Sequence, residues 1–155
     1  MKRLVVLGAV LVFAGCGSSH DAAAPTVALL NAVHLDGTSA RFDFASPPTT
    51  VRTHFRPRSQ IAESGSGKIV ALKGRAFLVV SFSPAATATA DATKVTFSYT
   101  GPKRVEPSST GPVQELAKIG DFEAQLDWAI GLDRRRAPQI TRDGNTVTVA
   151  FADGP

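Results

Sequence analysis

Arg52, His54, Arg56 and Arg58 stand two residues apart, and they carry the clearest chemistry in this 155-residue chain. Side chains two apart on a strand share a face, so the first three form one basic row, which Arg58 extends past Pro57. Guanidinium forks suit phosphate and carboxylate oxygens, the groups that polyanionic polymers and anionic membrane surfaces both offer. The same row also reads as a solvated edge strand that its charge keeps from pairing with other chains. Arg134, Arg135 and Arg136 add a second basic cluster later in the chain.

Catalytic chemistry is harder to find. Asp121 and Glu123 would be neighbours on the wet face of one strand, roughly 6–7 Å apart, a spacing that would suit two glycosidase carboxylates. A general acid needs an apolar pocket to raise its pKa, and nothing in the sequence encloses this pair. His20, His34 and His54 lack ligand spacing, so neither a metal nor any other cofactor is expected. The stretch from Glu63 to Lys68 looks like part of a phosphate loop, but Ala62 stands where that loop needs Gly and Ile69 where it needs Ser or Thr. It reads as a turn. No Gly-x-Ser-x-Gly elbow occurs.

Cys16, the only cysteine, speaks to address rather than to catalysis. Lys2 and Arg3 precede an apolar run over residues 4–12, long enough for a signal-peptide core and too short for a mature membrane span. Ala14 and Gly15 then lead into Cys16, an order that resembles a bacterial lipobox. Residues 1–15 are thus expected to be a lipoprotein signal peptide, with Cys16 lipidated and held at the extracytoplasmic face of the cell membrane. Residues 16–25, small, polar and Pro-terminated, read as a flexible tether, and residues 26–155 as the domain. The whole chain has 17 basic and 13 acidic residues, but Lys2 and Arg3 would leave with the signal. That leaves 15 basic against 13 acidic, a net charge of +2, which gives no ground for nucleic acid as a partner.

The elements that must position these residues are strands. Residues 120–133 alternate apolar and polar, with Phe122, Ala124, Leu126, Trp128, Ile130 and Leu132 on one set of positions, and are expected to form one long strand. Residues 27–35, whose apolar residues do not alternate cleanly and fit either a strand or a short helix, come first; 41–44, 50–56, 68–72, 76–82, 95–99 and 113–119 supply further strands, and 139–141 and 145–151 a closing hairpin around Asp143-Gly144. Residues 68–72 and 76–82 are apolar on both faces and belong in the middle of the packing. Residues 84–93 read as an Ala/Thr loop, and 101–112 as a long connection around a short piece at Arg104 to Glu106. About nine short strands without an amphipathic helix predict an all-β fold, a β-sandwich or open barrel.

In order, ARFDF, the SGSG turn, VALKGRAFLVVSFSP, VQELAKIGDFEAQLDWAIGL and a last alternating strand resemble the AMIN-like domain of bacterial cell-envelope lipoproteins. The resemblance runs from about Thr26 to Phe151. It implies a non-catalytic module for binding or targeting, with peptidoglycan, another anionic wall polymer or a second envelope protein as partner. The alternative is a small secreted hydrolase acting on wall glycan.

Overall fold

In the computed structural model, which describes residues 26–154, regular structure is β throughout apart from a 3-10 turn at Arg58–Gln60. β1 (Ala28–Leu35) and β2 (Ser39–Phe44) form an antiparallel hairpin. Its turn is held by Asp36, whose carboxylate accepts the backbone N–H groups of Thr38 and Ser39 at 2.7 and 2.6 Å. Burial pushes the Asp36 pKa up, but these bonds outweigh it and hold the group below its ordinary value. β3 (Thr50–Arg56) and β4 (Ala76–Ser83) pair antiparallel, and β4 runs on into β5 (Ala85–Ala86), which adds to β1 in parallel.

β6 (Ala88–Ala90) and β7 (Val95–Phe97) form a separate small ribbon, followed by β8 (Arg104–Val105), β9 (Val113–Phe122) and β10 (Gln125–Leu132). β11 (Gln139–Asp143) and β12 (Thr146–Ala150) close the chain. The first sheet has the order β11-β12-β2-β1-β5, and the second β3-β4-β10-β9-β8. They pack face to face, so the fold is an all-β sandwich; among the described residues there are twelve strands rather than about nine, ten of them in the two packed sheets.

The main core fills the space between the sheets. Phe42 and Phe44 of β2 and Val147 and Val149 of β12 meet Leu78, Val80 and Phe82 of β4 and Leu126, Trp128, Ile130 and Leu132 of β10. Trp128 is fully buried, with the rings of Phe42 and Tyr99 edge-on at 5.9 and 5.8 Å. Alternation explains the membership, since every second residue of each strand points inward.

Two features of the second sheet correct the sequence reading. Residues 120–133 are two strands, because the chain reverses at Glu123 and Ala124, both in the left-handed region with φ of 50° and 56°. A two-residue turn puts Phe122 opposite Gln125, on the face away from Leu126, so Phe122 is 68% exposed instead of joining the core. Neither turn residue is a Gly or Asn, which is why the alternation hid the reversal.

Residues 68–72 do not form a strand beyond a single bridge between Ala62 and Ile69, and Ile69 is exposed. Residues 57–75 instead cross the outer face of the second sheet. There Ile61 and Leu72 bury with Phe77, Val79, Ala117, Ile119 and Ala129 in a second, smaller core. β4 is therefore covered on both faces, as its composition predicts. Gly131 permits the close approach: a Cβ there would lie 1.8 Å from the Lys73 carbonyl oxygen. The Ala/Thr stretch also departs from a plain loop, since it supplies β5 and β6. Val95 and Phe97 in the ribbon are exposed, and only Tyr99 of that alternating set is buried.

Candidate functional site

β3 lies at the edge of the second sheet, and its two faces differ sharply. Val51 and Phe55 pack on the main core, while Arg52, His54 and Arg56 are exposed on the outer face. Pairing sets Arg52 beside Ser81, His54 beside Val79 and Arg56 beside Phe77. Arg52, His54 and Arg56, with Thr50, Ser81, Ser83 and Gln125, line a hollow of about 340 Å³. The two serines and Gln125 could not be found from sequence, because only the sheet register brings them to β3.

Inside this row the side chains interact. Arg56 donates its Nε–H to His54 Nε2 at 2.6 Å, which requires a neutral imidazole. Partial burial, then the Arg56 charge, hold the His54 pKa below its ordinary 6.5, against a smaller opposing pull from Asp127. Asp127 itself accepts from Gln125 Nε2 at 3.0 Å. Arg52 has no ion pair or side-chain hydrogen bond among the described residues.

Arg58 does not continue the row. Past Pro57 the chain enters the 3-10 turn, and the Arg58 guanidinium donates to the carbonyls of Leu72 and Gly74 at 2.8 and 2.7 Å. Its carbon lies 4.6 Å from the centre of the Phe77 ring. Arg58 thus ties the two ends of residues 57–75 together and packs them against Phe77 of β4. The second cluster divides in a similar way. Arg136 pairs with Asp133 at 2.9 Å and holds the C-terminal backbone through the Ala152 carbonyl, and Arg134 donates to Gly154. Arg135 instead lies over the Phe55 ring at 4.4 Å, which brings it beside the end of β3.

The other sequence candidates resolve into structural roles. Asp121 accepts from the Thr87 hydroxyl and pairs with Lys118 at 3.2 Å, while Glu123 sits in the β9–β10 turn. The shared strand face that a carboxylate pair needs is not formed, because the reversal separates the two. Residues 63–68 form a closed turn in which Gly65 and Gly67 have φ of 88° and 67°, and the Gly67 N–H is spent on the Glu63 carbonyl. His34 pairs with Asp43 at 3.3 Å. Cys16, His20, the expected signal peptide and nearly all of the tether lie outside the described residues.

Residues 41–149, from within β2 to within β12, match the AMIN-like domain. The chain belongs to the AMIN-like family. The match spans both sheets and includes β3 with its basic row. No curated protein and no solved structure matches the chain significantly. Membership points to an extracytoplasmic place in the cell envelope and to peptidoglycan-related binding, by domains that are generally non-catalytic. In this AMIN-like domain the outer face of β3 is an exposed sheet edge that carries Arg52, His54 and Arg56.

Proposed function

We propose that this chain is a lipid-anchored, non-catalytic envelope module that holds an anionic cell-wall polymer on the outer face of its second sheet. The observation that carries the reading is the row of Arg52, His54 and Arg56 on an exposed edge strand, beside a hollow lined by hydroxyl and amide groups. Arginine forks and neutral hydrogen-bonding groups together match a polymer that carries both anionic and sugar-like groups. Lipid on Cys16 and the tether of residues 16–25 complete the design. A short flexible linker keeps the domain close to the membrane, where even weak attraction acts at high effective concentration. Among the described residues no helix is long and apolar enough to cross a membrane.

Contacts of this kind are screened over about 8 Å at physiological ionic strength. A domain starting at residue 21 is therefore expected to be retained by purified cell wall at low salt and released by added salt. Arg52→Gln with Arg56→Gln should weaken that retention; Arg58 is left in place because it fastens residues 57–75. Equal retention of the double variant would remove the β3 row from the reading. In cells, Cys16→Ala should abolish both membrane association and acyl labelling, and recovery of that variant in the membrane fraction would count against the lipid anchor.

A further inference from the structure

The end of β3 holds a second concentration of positive charge that the wall-binding row does not explain. A notch of about 560 Å³ opens where Arg56, Pro57 and Arg58 leave β3 opposite Arg75 and Ala76, and Arg135 closes it from the far side. Phe55 and Phe77 also line it, from opposite faces of the sheet edge. Four exposed guanidinium groups line it, and no carboxylate does. The nearest acid by position, Asp133, lines the adjoining hollow with Arg75 and is already paired with Arg136.

Two of these guanidinium groups are held in place by aromatic rings, Arg58 over Phe77 and Arg135 over Phe55. A guanidinium held over a ring face by this attraction can still donate from its N–H groups. Arg58 has five N–H donors and commits two of them to the Leu72 and Gly74 carbonyls, so three remain. Arg75 and Arg135 make no side-chain hydrogen bond among the described residues. Like charges gathered without an acid repel one another, and a bound anion relieves that repulsion.

We infer that this notch is a phosphate-binding site. A carboxylate brings one charge and two oxygens in a plane, which can satisfy one fork. A phosphate group brings up to two charges and oxygens in several directions, which donors lining one notch from β3, the two ends of residues 57–75 and the segment after β10 can share. The site goes beyond the wall-binding row, sharing only Arg56 with it, and it can be tested apart from the wall.

Both cores lie within residues 26–154, so the domain from residue 21 carries its whole interior and is suitable for the test. The measurements are titration with inorganic phosphate and with acetate, followed by calorimetry and by NMR of the arginine Nε–H groups. Phosphate should perturb Arg75 and Arg135, and acetate should bind more weakly. Arg75→Gln and Arg135→Gln should each weaken phosphate binding about tenfold, the cost of losing one charge-assisted contact, while Arg52→Gln leaves it unchanged. Unaltered emission from Trp128, the single tryptophan, shows that each variant keeps its fold. Equal responses to phosphate and acetate, or a phosphate response that survives both substitutions, would overturn the site. So would a response confined to vesicles of anionic phospholipid. Phosphate binding through Arg75 and Arg135 without wall retention would leave the notch standing and remove the wall reading. Wall retention without phosphate binding would do the reverse.

Discussion

The two apolar cores lie back to back on the second sheet, sharing the backbone of β4, β9 and β10, and they are built by different means. The inner core joins two sheets, so each contact is repeated along strands whose hydrogen bonds hold them in register. The outer core is closed by residues 57–75, an irregular segment that supplies Ile61 and Leu72 and little else. What that segment lacks in ladder bonds it recovers through side chains. Arg58 bonds two of its carbonyls, Arg104 bonds the Ala71 carbonyl at 2.6 Å, and Glu115 accepts the Lys73 N–H at 2.8 Å. Polar clamps thus do for the outer core what sheet pairing does for the inner one. Fewer buried contacts and more exposed fastenings make the outer core the part expected to open first.

The largest effect should come from the inner core. Trp128→Ala removes the largest fully buried side chain and the edge-on contacts with Phe42 and Tyr99, and should cost about 3–5 kcal/mol. Denaturant melts should show a cooperative loss across both sheets. A variant that loses only residues 57–75 would mean the inner core is not the unit that carries global stability.

Leu72→Ala tests the other side. It should cost about 2–4 kcal/mol, less where the irregular segment can settle into the space. Hydrogen exchange should accelerate first at the Val70 and Ser64 amides, which bond the Ile61 and Ile119 carbonyls, while β2 and β12 keep their protection. Uniform acceleration over the whole domain would erase the distinction between the two cores.

The same contrast explains what the sequence discloses. β2, β3, β4 and β12 were legible because each has a steady inward row, and the all-β class follows from them. The reversal at Glu123 and Ala124 was not, since the residues bear no turn signature and alternation continues in the letters while the chain changes face. The outer core was invisible for another reason: Ile61 and Leu72 have no period to link them and meet only because Gly131 admits the backbone of Lys73. The candidate site divides along the same line. Arg52, His54 and Arg56 share a strand face and could be read directly, but Arg58 lies past Pro57 and turns to backbone carbonyls. Arg75 and Arg135 join the end of β3 through sheet pairing and stacking, which no local pattern records.

A smaller effect should follow from cutting one clamp. Glu115 is buried, and Arg104 meets its Oε1 with Nε and Nη2 at 2.9 and 2.6 Å. Arg104→Ala leaves that oxygen without its partner, at a cost of about 1–3 kcal/mol. Glu115→Gln in the same background should recover part of it, because a neutral amide tolerates burial better than an unpaired carboxylate. No recovery in the double variant would show that Arg104 acts mainly through the Ala71 carbonyl.

The smallest effect concerns His54, which lies on the open half of the outer face, beyond the cover of residues 57–75. Its folded pKa lies below 6.5, chiefly through partial burial and then through Arg56, so between the two values the unfolded chain binds the proton more readily. Stability linked to this group is therefore present above 6.5 and lost as pH falls through the folded value. Because the ring is largely exposed, the change in stability should be slight, and the titration itself is the better readout. Protonation also removes the lone pair that accepts Arg56 Nε–H, freeing that guanidinium as the row gains a charge. NMR of the imidazole should place the midpoint below 6.5. Arg56→Gln should move it upward by removing a positive neighbour, and Asp127→Asn should move it further down by removing a negative one. If neither substitution moves the midpoint, His54 is isolated from both neighbours and the open half of the face does not act as one charged surface.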